Sequence, residues 1–100
     1  MVTKDSRIFT NYRNEYLKEK IEELEEKMQD LDEQQKYEAH KIGCKQAEIA
    51  IDKAIGYSVR ESENELEKMI EDFNNLMNEN QEAIKAYRKE QELYASLIIE

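Results

Sequence analysis

Residues 55–61 read IGYSVRE, and the behaviour of this short stretch decides the fold. Gly56 can take the left-handed conformation that closes a helix C-terminus, which residues with a Cβ resist. Ser58 and Glu61 stand in Ser-x-x-Glu spacing, a capping box that satisfies two orphan backbone donors at a new helix start. Together they predict that one helix ends at Gly56 and another begins just after Ser58. Elsewhere little interrupts a helix, because the chain has no Pro and only one other Gly, Gly43.

Upstream of the break, residues 17–31 read LKEKIEELEEKMQDL. Leu17, Ile21, Leu24, Met28 and Leu31 alternate steps of four and three, the heptad spacing of a coiled-coil seam. The series continues through Gln35 and Ile42 to Ile49. Downstream, Val59, Leu66, Ile70, Phe73, Met77 and Asn80 start a second series, which continues as Ile84, Tyr87, Gln91, Tyr94 and Ile98. Met69, Leu76, Ala83 and Leu97 widen this second stripe beyond what a two-helix seam requires. That width points to a third helix, a dimer or a partner.

The reading is an all-α, single-domain protein over residues 1–100, a long antiparallel two-helix coiled-coil hairpin. It has a helix over about 6–55, a turn at 56–58 and a helix over about 59–98. Gly43 is a second, weaker break that would leave 44–55 as a short third helical segment. Folding at 56–58 makes facing residue numbers add to about 115. Met28 then meets Tyr87, Ile21 meets Tyr94, and Leu17 meets Ile98. Gln35 falls opposite Asn80, a polar pair able to fix register. The acidic run from Glu22 to Glu33 falls opposite Lys85, Arg88 and Lys89.

Composition supports helices and excludes several functions. Ala, Glu, Lys, Leu and Arg supply about half of the residues, the mark of long helices. The apolar periodicity argues against disorder. A net charge of −9 disfavours nucleic acid and anionic membrane surfaces, both of which recruit clustered Lys and Arg. No apolar run reaches the length of a membrane span, and residues 1–7, MVTKDSR, lack the apolar stretch of a signal peptide. The lone Cys44 has no partner for an internal disulfide. A cytoplasmic location is expected, with leaderless export compatible.

No residues carry chemistry. His40 and Cys44 are four apart, near enough to share a metal, but two ligands are too few, so packing is the expected role. The many carboxylates make any acid–base pair uninformative, because such chemistry needs a tuned group in a dry pocket. No phosphate loop, nucleophile elbow or zinc spacing is present. The expectation is no enzyme, no cofactor and no metal.

Function is therefore expected from a surface. Phe9, Tyr12 and Tyr16 form an aromatic stripe off the Leu17–Ile21 seam, and Ile8, Phe9 and Tyr12 precede any partner on the second helix under the 115 register. Leu97, Ile98 and Ile99 lie at the same end, and either this patch is an interaction site or the N-terminal turn folds back and covers the C-terminal end. The expected partner-binding residues are these seven together with Met69 and Leu76. The leading expectation is a helical adaptor, export partner or small chaperone that binds a helical client, with a homodimer as a further outcome. The alternative is an acidic inhibitor occupying the basic, nucleic-acid-binding surface of a target enzyme, as a phage anti-defence protein would.

Overall fold

The computed structural model describes residues 4–99, with side chains from Ser6 onward. The described residues form two helices, α1 (Lys4–Ile55) and α2 (Arg60–Ser96), and no strand. The protein is an all-α helical hairpin.

The turn forms where Gly56 predicts it. Gly56 has φ 99°, and its N–H donates to Lys53 O and Asp52 O, while the Tyr57 N–H donates to Asp52 O. These bonds make a Schellman closure with glycine at the left-handed position, occupying carbonyls that the end of α1 would otherwise leave unpaired. The capping box does not form. Ser58 makes no side-chain hydrogen bond, and the first backbone bond of α2 runs from the Glu63 N–H to Val59 O. Val59 takes the capping position because its side chain is drawn half-way into the seam, which leaves Ser58 one residue early. Glu61 and Glu63 in the first turn of α2 supply the negative charge that a helix N-terminus favours.

Gly43 does not interrupt α1. It costs about 1 kcal/mol relative to Ala in a helix interior. A Cβ built at Gly43 would meet nothing within 4 Å, so no neighbour in the chain demands a glycine there.

The helices pack as two compact units. The first joins α1 up to Asp30 with α2 from Glu82 onward; the second spans Leu31–Gln81 and contains the turn. In the first, Leu17, Leu24 and Met28 are buried, and Tyr87, Gln91, Tyr94 and Ile98 are half-buried. Gln91 fits this apolar seam because its Nε2 donates to Ile21 O at 3.1 Å and to Glu25 Oε1 at 3.1 Å. In the second, Ile49 is the one buried apolar residue and Asn80 the one buried polar residue among those described. Half-buried Leu31, Gln35, Glu38, Ile42, Lys45 and Asp52 fill the other inward positions of α1.

Cross-helix contacts bracket the expected register. Lys45–Glu65 adds to 110, Gln91–Ile21 to 112 and Gln91–Glu25 to 116. The Lys27 ammonium lies 5.8 Å from the Tyr87 ring centre, a pair adding to 114. Three details differ from the sequence reading. Ile70 is exposed while Met69 is half-buried, so the inward stripe of α2 is rotated there by one residue; Leu76 and Met77 are both half-buried where the two phases meet. Asn80 is buried, but no hydrogen bond joins it to half-buried Gln35, and its Nδ2 has no partner. The acidic run does not reach across to Lys85, which pairs with Glu82 on its own helix. The cross-helix ion pairs among the described residues are Lys45–Glu65 at 2.7 Å and Lys53–Glu63 at 2.9 Å, both in the turn-containing unit.

Candidate functional site

The largest apolar side chains left in solvent begin at the start of α1. Phe9, Tyr12 and Tyr16 are 69%, 65% and 59% exposed, and Ile8 is about half exposed. Steps of three and four keep the aromatic residues on one helix face, while Leu17 turns into the seam. Polar bonds tie down the other end of the chain. Arg13 Nη1 donates to Leu97 O at 2.6 Å, Asn14 Nδ2 donates to Ile99 O at 2.6 Å, and the Ile99 N–H donates to Asn14 Oδ1 at 3.1 Å. Residues 97–99 are thereby held beside α1 by backbone groups that follow the end of α2 and need partners. Ile98 turns half inward, while Leu97 and Ile99 stay exposed. The run leaves Phe9, Tyr12 and Tyr16 exposed. Of the expected partner-binding residues, Ile8, Phe9, Tyr12, Tyr16, Leu97 and Ile99 are exposed in this unit. Met69 and Leu76 are half-buried in the other unit, where they line a groove.

Charged side chains flank the aromatic stripe. Arg13 and Lys20 lie along one edge of it and Glu15 and Glu19 along the other, so the charges of the two edges balance. The Lys20 ammonium lies 5.2 Å from the centre of the Tyr16 ring. Its bond to Glu23 at 3.3 Å is the first reason its pKa is raised above the ordinary lysine range.

No protein-family model, curated protein or solved structure matches the chain.

Two open grooves accompany the seams. One of about 310 Å³ is lined by Ile21, Glu25, Arg88, Gln91, Glu92 and Ala95. The other, of about 270 Å³, is lined by Gln34, Glu38, Met69, Asp72, Phe73 and Leu76. Each is a trough between two helices, open to water. Among the described residues no group of three His, Cys, Asp or Glu is placed to hold a metal ion. His40 Nε2 and Cys44 Sγ are 3.5 Å apart on the exposed side of α1. No helix among the described residues is long and apolar enough to cross a membrane.

A second exposed apolar stripe was not singled out from the sequence. Tyr37 and Ile51 are 60% and 58% exposed on the side of α1 away from its seam, and Cys44, Ala47 and Ala54 are exposed with them. The signal was present as a second alternation of threes and fours along the same helix. It lay within a stretch, residues 43–55, that is apolar around much of the helix and conceals which face is inward.

Proposed function

We propose that this chain is a non-enzymatic protein–protein interaction module, in which the apolar patch at the start of α1 docks a helix of another protein. One observation carries the reading: Ile8, Phe9, Tyr12 and Tyr16 stay in solvent although residues 97–99 are held beside α1. Burying a large apolar side chain is worth roughly 1.5–3 kcal/mol, so a contiguous exposed set forgoes several kcal/mol unless a partner covers it. An amphipathic helix presents i, i+3, i+4 anchors to such a surface. Such a surface suits an adaptor, export partner or small chaperone with a helical client.

The triple variant Phe9, Tyr12 and Tyr16→Ser tests this. Exposed residues contribute little to stability, so the unfolding free energy should stay within about 0.5 kcal/mol of wild type. Capture of the partner, followed by titration with the purified partner, should fail. A variant that unfolds far more easily would mean the aromatic residues serve the fold and not a partner. Salt distinguishes the alternative reading, an acidic inhibitor of a basic surface. Binding through the apolar stripe should respond weakly to ionic strength, whereas charge mimicry through the Glu22–Glu33 run should weaken steeply.

A further inference from the structure

We propose that the outward face of α1 over residues 37–54 binds a second copy of this chain, helix against antiparallel helix, forming a twofold dimer. This face lies wholly within the Leu31–Gln81 unit and does not depend on the patch at the start of α1.

The face has the pattern of a coiled-coil seam without an occupant. Tyr37, His40, Cys44, Ala47, Ile51 and Ala54 follow steps of three, four, three, four and three, and all six are exposed. None is an Asp, Glu, Lys or Arg, in a helix otherwise dense with those residues. The seam of α1 toward α2 uses other positions, Leu31, Gln35, Glu38, Ile42, Lys45, Ile49 and Asp52. A strict heptad on a water-facing surface is a stripe that another helix would bury.

The stripe is complementary to itself when reversed. Antiparallel seams pair residues whose numbers share a constant sum, and here a sum of 91 closes the set on itself. Tyr37 then meets Ala54 of the second copy, His40 meets Ile51, and Cys44 meets Ala47, each contact occurring twice by symmetry. The flanking charges select this direction. Along one edge Lys41 of each copy comes beside Glu48 of the other, again twice. A parallel pairing would bring Lys36 beside Lys41 of the second copy, like against like.

Gly43 supplies an independent observation. It weakens α1, its φ is not positive, and the space where a Cβ would stand is empty. In the antiparallel pair it lies on the edge opposite the charges, facing Ala50 of the second copy. Two residues this small let the helix backbones approach closely.

Sedimentation of the full chain over a concentration series tests the proposal. A reversible dimer is expected. Ile51→Glu should leave a monomer with unchanged helicity and thermal midpoint, because Ile51 makes no contact that the hairpin needs. Lys41→Glu and Glu48→Lys should each raise the dimer Kd about tenfold, and combining them should restore it. The two residues are seven apart on one helix and do not meet within a chain, so rescue reports a contact between copies. Mixing wild type with a Cys44→Ala/Ala47→Cys variant under copper–phenanthroline should give the mixed disulfide, whereas Cys44→Ala/Ala39→Cys should not. A monomer at every concentration up to about 1 mM overturns the proposal. So does a dimer that survives Ile51→Glu, a charge swap that fails to rescue, or a dimer lost only when Phe9, Tyr12 and Tyr16 become Ser.

Discussion

The unit formed by α1 up to Asp30 with α2 from Glu82, and the unit spanning Leu31–Gln81, use the same helix pairing but are held together differently. The first buries Leu17, Leu24 and Met28, and its one polar intruder, Gln91, is hydrogen-bonded twice. The second buries a single apolar residue, Ile49, together with an asparagine whose amide nitrogen has no partner. It compensates at its edges with the Lys45–Glu65 and Lys53–Glu63 ion pairs and with the Schellman closure at Gly56. Exposed ion pairs contribute little, about 0–1 kcal/mol each. The comparison therefore says that apolar burial dominates in the first unit, while the turn and polar contacts hold a larger share of the second.

The sharpest way to break this comparison is to remove one buried side chain from each unit. Leu24→Ala should destabilise the chain by about 2–4 kcal/mol, because the removed atoms are lost from a closed seam. Ile49→Ala should cost less, since its polar neighbours let water fill the space. Denaturant unfolding of both variants would decide, and a larger loss from Ile49→Ala would reverse the assignment of the stronger core. Native-state hydrogen exchange should agree, with the amides around Leu24 outlasting those around Ile49.

A middle-sized effect should come from Asn80. Asn80→Leu keeps the volume and removes an unpaired buried donor, so it should stabilise the turn-containing unit by about 1–2 kcal/mol and slow exchange there. Changing Gln35 to Leu as well should add to this while loosening the register, since a polar layer discriminates against slipped pairings. A loss of stability from Asn80→Leu would mean that a water molecule satisfies the amide.

The smallest effect belongs to Lys45. Its hydrogen bond to Glu65 is the main reason its pKa stands above the ordinary lysine range, which desolvation opposes. A group whose folded pKa is raised stabilises the fold fully below its unfolded pKa, about 10.4, and loses that contribution as pH rises through the folded value. Wild type should therefore lose more stability than Lys45→Met on going from neutral to strongly alkaline solution. Equal losses would show that the Glu65 contact contributes nothing measurable.

Much of the fold was legible because its determinants are local. The heptads, the scarcity of helix breakers and the conformational freedom of Gly56 act over windows of a few residues, and they predicted two helices, the place of the turn and a register close to the observed one. The aromatic residues at the start of α1 were legible as a surface for the same reason: their spacing takes them off the seam. What tertiary structure alone decided is how far each helix turns about its axis and which polar groups win a partner. Met69 enters while Ile70 stays out, Val59 displaces Ser58 from the capping position, Asn80 is buried without Gln35, and Arg13 with Asn14 captures the end of the chain. A rotation of less than one residue changes all such choices without altering the apolar pattern, and its energy comes from side chains far apart in sequence. Periodicity therefore specifies the face within about one residue, and packing chooses the side chain.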